Sequence, residues 1–98
     1  MPTYTYEVMG EQSHPDNFMR LIAEQLVNGM VEFDSVRTNT DELSRRRSDE
    51  LPVIHLKLEI ASIERDAGVP FVLLQDREAR ALYRVDLTNP VKVTAVSI

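Results

Sequence analysis

The side chains with the clearest spacing for chemistry are His55, Lys57 and Glu59, which alternate with apolar residues. Because successive side chains of a β-strand point to opposite faces, these three would line one face. A histidine beside a carboxylate can act as a general base near neutral pH, which suggests a small acid–base enzyme using His55 with Glu59 or Asp34. The same pattern is typical of a histidine on the solvated face of a sheet, and we favour this second interpretation.

The strongest local charge feature is the run Arg45, Arg46 and Arg47, which lies among four acidic residues. Three adjacent guanidinium groups could form an anion-binding site for a phosphorylated small molecule or a nucleic-acid strand. The flanking acids outnumber the arginines by one, however, which is typical of a solvated loop, and we expect residues 40–51 to be a loop with some helix. A net charge of −5 also makes nucleic acid a possible but disfavoured partner.

Other reaction chemistries lack the residues that they need. The chain has no Cys, which excludes disulfides, thiolate metal sites and cysteine nucleophiles. It has two His, and its acidic residues lack the spacing of a calcium loop, so we expect no metal and no cofactor. The three glycines are too scattered for a nucleotide-binding loop, and no serine lies in a nucleophile-elbow motif. We therefore expect that the protein is not an enzyme.

The scaffold that would position these residues is mostly β-structure. The alternation from Ile54 to Ile60 is typical of an antiparallel strand with one buried face and one solvated face. Similar patterns predict further strands near residues 4–8, 30–38, 69–74, 81–87 and 91–98. A turn is predicted at residues 64–68, after the alternation slips out of phase.

One segment has the period of a helix. Between residues 14 and 28, apolar side chains recur at spacings of three and four, which predicts an amphipathic helix. Ser13 is its predicted N-cap, His14 is assigned to the turn before Pro15, and Asn28-Gly29 is its predicted end. The predicted fold class is α+β: one amphipathic helix packed on an antiparallel sheet of five or six strands, in the order β-α-β-β-β-β-β.

The length and composition of the chain indicate the number of domains and the class of protein. We expect the 98 residues to form a single domain, 1–98, with one core, because a chain of this length has little material for two. The hydrophobic fraction of 43% and the charged fraction of 28% are ordinary for a globular protein. The first residues lack the pattern of a signal peptide, and no apolar stretch approaches the roughly 20 residues of a membrane helix. We expect a cytoplasmic protein.

The apolar residues exceed what one helix can cover. Residues 69–74 are apolar on both predicted faces, and Val96 and Ile98 are out of phase with the preceding apolar residues of the last strand. A second copy or another protein would cover this surface, unless sheet twist and residues 40–51 bury it within one chain. We expect a non-catalytic protein-interaction or regulatory module that forms a homodimer. The predicted partner-binding residues are Phe71, Val72, Leu74, Arg80, Arg84, Val96 and Ile98.

Overall fold

The computed structural model describes residues 4–38 and 52–97. Within them the chain forms the strands β1 (Tyr4–Val8), β2 (Met30–Arg37), β3 (Ile54–Asp66), β4 (Val69–Asp76), β5 (Ala81–Asp86) and β6 (Lys92–Ser97). One α-helix, α1 (Pro15–Gln25), follows a short 3₁₀ turn at Gly10–Ser13. Consecutive strands pair antiparallel, and β1 also pairs with β6, so the sheet closes into a barrel.

Barrel closure corrects the predicted fold class. In the β1–β6 pair, Tyr4 lies opposite Ala95 and Glu7 lies opposite Lys92, so neither end strand is left as a free edge. Twisted, tilted strands bring the apolar face of the sheet around to face itself, and no separate layer is then needed to cover it. The predicted α+β architecture, an open sheet of order β-α-β-β-β-β-β with the helix as its second layer, is therefore wrong.

The interior of the barrel is filled by every second side chain of its strands. Val72 lies opposite Val85, which in turn lies opposite Val93, and none of the three has exposed surface. Each such apolar side chain contributes about 1.5–3 kcal/mol when it is removed from water. The other members of this buried cluster are Val8, Phe18, Ile22, Val31, Phe33, Leu58, Leu74 and Val91.

Helix α1 closes one end of the barrel. Its residues Phe18 and Ile22 are fully buried, and the Phe18 ring meets the Phe33 ring edge to face at 5.3 Å between centroids. The N-cap is His14, whose Nδ1 accepts a hydrogen bond from the backbone N–H of Asp16 at 3.2 Å. Ser13, the predicted N-cap, instead donates its hydroxyl to the carbonyl of Gly10.

The helix is shorter than predicted. It ends at Gln25, and Leu26, an apolar residue within the predicted span 14–28, is about half exposed. The backbone then turns through Gly29 with a φ of +73°, a conformation that glycine adopts without strain, and enters β2. Within residues 4–38 and 52–97, no helix has the length and apolar character that crossing a bilayer requires.

The β3–β4 hairpin explains the slip in the alternation. The register shifts between Ile60, which lies opposite Leu74, and Ser62, which lies opposite Leu73, so β3 contains a bulge. Strand β3 then continues to Asp66, and the turn consists of Ala67 and Gly68 only. The turn predicted at 64–68 is therefore wrong in extent, because a bulge changes the phase without ending the strand.

Candidate functional site

The outward-facing residues of β4, β5 and β6 form a surface that combines apolar and charged side chains. Leu73 lies opposite Arg84, and Leu82 lies opposite Val96, each out of phase with the buried residues of its strand. Val96 is 39% exposed, and the two leucines are partly exposed. We call the surface formed by Phe71, Leu73, Leu82, Arg84 and Val96 the outer wall.

The arginine of the outer wall is held by interactions within the chain. The guanidinium carbon of Arg84 lies 4.0 Å from the centroid of the Phe71 ring. Its Nε donates to Oδ1 of Asp86 at 3.0 Å, and its Nη2 lies 3.5 Å from Oδ2 of Asp66. The hydrogen bond to Asp86 is the main cause of the raised pKa of Arg84. The positive charge of Arg84 is therefore paired within the chain before any partner approaches.

Two predicted contact residues do not lie on the surface. Val72 and Leu74 have no exposed area, because they point into the barrel, where they are part of the core. The sequence argument placed them on a second, uncovered face, but the closed sheet shelters that face itself. These two residues cannot contact a partner in this fold, and the prediction is wrong for them.

The other predicted contact residues are divided. Phe71, Arg84 and Val96 share the outer wall, as described above. Arg80 lies in the β4–β5 turn with a φ of +52°, at an end of the barrel and not on its side. Ile98 lies outside the described residues.

The sequence analysis missed Leu73 and Leu82, although a signal for both was present. Strict alternation from Phe71 places Leu73 on the outward face, and alternation from Arg84 places Leu82 there. The run at 69–74 concealed this because it is apolar at every position except Pro70. The register places Leu73 opposite Arg84, and it places Leu82 between Gln75 and Val96.

His55 forms a separate polar cluster on the outside of β2 and β3. Its Nδ1 lies 2.8 Å from Oδ1 of Asp34, its Nε2 lies 3.3 Å from Oε2 of Glu32, and Lys57 Nζ lies 3.5 Å from Oε1 of Glu32. The hydrogen bonds that the ring donates to Asp34 and, with a smaller effect, to Glu32 raise the pKa of His55 by stabilising its protonated form. Glu59, the other predicted partner, pairs instead with Arg77 at 2.9 Å.

This cluster contains the carboxylate partner of a general base, but it lacks the water-excluding cleft that a general base needs. More than half of the His55 and Asp34 side chains is exposed, so water screens their interaction. A depression of about 270 Å³ that includes Glu32 is lined also by Leu21, Gln25 and Met30, and it is smaller than most ligand pockets. The arrangement is typical of a titrating surface group, and it supplies no water-excluding site around the imidazole.

Two further possibilities from the sequence concern metal binding and anion binding. In the part of the chain that the structure describes, no three His, Asp or Glu side chains are arranged to hold a metal ion. The anion-binding candidates Arg45, Arg46 and Arg47 lie outside the described residues. Comparisons of the chain with protein-family models, with curated proteins and with solved structures give no match. The geometry of the chain itself is therefore the basis for assigning a function.

Proposed function

We propose that this protein is a non-catalytic interaction module that forms a homodimer through its outer wall. The observation that supports this is the outward placement of Leu73, Leu82 and Val96 on adjacent strands. The barrel interior is filled by other residues, so these three contribute nothing to it. Contact with another surface would remove these apolar side chains from water, and exposed apolar surface is typical of interaction sites.

The charges beside the patch favour a second copy as the partner. Asp86 and Glu7 each lie opposite Lys92 in the sheet, and Arg84 pairs with Asp86. Both signs of charge therefore lie beside the apolar residues of the outer wall. Under two-fold rotation, each sign can approach the opposite sign of the other copy, so the surface can be self-complementary. Arg84 lies between Leu73 and Thr94 in the middle of this surface, and arginine is enriched at protein interfaces.

The net charge of the chain gives this proposal a distinctive salt dependence. Two copies with a charge of −5 repel each other, and salt screens that repulsion without weakening an apolar contact. The complementary charges beside the contact set the orientation of the two copies more than their affinity, so the net repulsion dominates and dimerisation should strengthen with salt. A site that binds phosphate through arginines would behave in the opposite way, because salt competes with the phosphate.

Sedimentation velocity at increasing protein and salt concentrations tests the proposal. We expect a dimer at high micromolar concentration, and we expect Val96→Glu to be monomeric because it places a carboxylate among the apolar residues of the contact. Val27→Glu is the matched control: it adds the same charge at a residue that is 96% exposed and lies beyond α1, and it should remain dimeric. A monomeric parent protein, or a dimer that survives Val96→Glu, would overturn the proposal.

A further inference from the structure

All three tyrosines of the chain lie together at the end of the barrel opposite α1. Strand β2 leads away from the helix to Arg37, which lies opposite Tyr6. Tyr4 and Tyr83 lie opposite Ala95 from its two sides, on β1 and β5. We call the cluster of Tyr4, Tyr6, Tyr83 and Arg37 the tyrosine rim.

The tyrosine rim combines stacked rings with a cation. The Tyr6 and Tyr83 rings are 6.5 Å apart and 25° from parallel, and the guanidinium carbon of Arg37 lies 4.9 Å from the centroid of Tyr4. Partial burial raises the pKa of both Tyr6 and Tyr83. Their phenols are therefore uncharged at neutral pH and can donate hydrogen bonds.

The space beneath the rim is occupied. Leu74 has no exposed surface and Ala95 is 7% exposed, and Tyr6 and Tyr83 pack directly on the core. A ligand would therefore lie on the rings at the mouth of the barrel and would not enter it. Aromatic side chains present flat faces that suit a planar ring, whereas a guanidinium suits an anionic group.

We propose that the tyrosine rim binds a planar aromatic anion, with its ring against the tyrosines and its charged group on Arg37. Asp76 lies close enough to Tyr83 to raise the pKa of that residue, so the anionic group is directed to the opposite side, towards Arg37. The rim occupies the end of the barrel and the outer wall occupies its side. Binding here is therefore independent of the proposed dimer.

Three small probes separate the contributions of ring and charge. 1-Naphthoate has both features, 1-naphthamide has the ring without the charge, and cyclohexanecarboxylate has the charge without the aromatic ring. The readout is the NMR signals of the tyrosine ring protons, which report the rim directly because every tyrosine of the chain belongs to it. We expect 1-naphthoate to shift these signals saturably and to bind more tightly than either of the other probes.

Variants of the full-length chain test the role assigned to the cation. Arg37→Gln should weaken 1-naphthoate binding about fivefold, as expected for loss of an exposed cation contact. Arg20→Gln, which removes an exposed arginine of α1, is the matched control and should bind as the parent does. Equal binding of 1-naphthoate and 1-naphthamide, unchanged affinity in Arg37→Gln, or absence of tyrosine shifts at millimolar 1-naphthoate would overturn the proposal.

Discussion

Across the β2–β3 pair, Nδ1 of His55 lies 2.8 Å from Oδ1 of Asp34. This contact, with a weaker one to Glu32, stabilises the protonated imidazole and raises the pKa of His55 above its ordinary value of 6.5. The contribution to stability is complete below pH 6.5 and is lost as the pH rises through the folded-state pKa. We expect an NMR titration of the imidazole protons to give a midpoint above 6.5.

Two substitutions identify the cause of that shift. Asp34→Asn removes the shorter contact and should lower the midpoint of His55. Glu59→Gln should leave it unchanged, since the Glu59 carboxylate is engaged by Arg77. A parent midpoint at or below 6.5 would contradict the structure, as would an Asp34→Asn protein that titrates like the parent.

Closure of the barrel by α1 predicts a large stability effect at Phe18. This residue is fully buried and contacts the Phe33 ring, so Phe18→Ala should lower the free energy of unfolding by about 3–5 kcal/mol. Val27→Ala, at a position that is 96% exposed, should change it by less than about 0.5 kcal/mol. Urea unfolding followed by circular dichroism measures both, and equal losses would mean that α1 does not seal the core.

The positions of many strands were accessible from the sequence because alternation is a local signal. Ile54 to Ile60, for example, lie within β3 with Leu58 buried and His55 exposed. Closure was not accessible, because it depends on pairing between Tyr4 and Ala95, at opposite ends of the chain. No local pattern encodes the twist and tilt that bring such strands together. Without closure, the sequence pattern assigns the surplus of apolar residues to a second surface, whereas many of them lie inside the barrel.

The candidate site shows the same division between local and long-range information. Alternation alone places His55 on a solvated face, but it leaves Glu59 and Asp34 as equal choices of partner. Cross-strand register decides between them by placing Asp34 directly opposite His55. The tyrosine rim had no sequence signal, because Tyr6 and Tyr83 become neighbours only when the barrel closes.

The tyrosine rim predicts an alkaline transition. Burial is the main cause of the raised pKa of Tyr6 and Tyr83, so both phenols should ionise above the ordinary value of 10.0. Folding favours the neutral phenol over the phenolate, and this preference contributes to the stability of the folded chain. The contribution is complete below pH 10.0 and is lost as the pH rises through the folded-state pKa values of the two tyrosines. Tyrosinate absorbance in a pH titration measures the ionisation. Two tyrosines that titrate normally in the folded protein would contradict the observed burial.

The β3–β4 turn predicts a stabilising substitution. Ala67 has a φ of +52° and Gly68 a φ of +84°, as in a two-residue turn of the I′ kind, which favours Asn-Gly. Ala67→Asn should therefore raise the free energy of unfolding by about 0.5–1 kcal/mol in urea titrations, because asparagine tolerates positive φ better than alanine. Gly68→Ala should lower it by about 1 kcal/mol through backbone strain alone, since an added Cβ there would meet no atom within 4 Å.

Ala79→Asn, in the β4–β5 turn, is the control for Ala67→Asn and should give no such gain, because Ala79 is not among the residues with positive φ. Equal stabilisation by both asparagines would refute the conformational explanation.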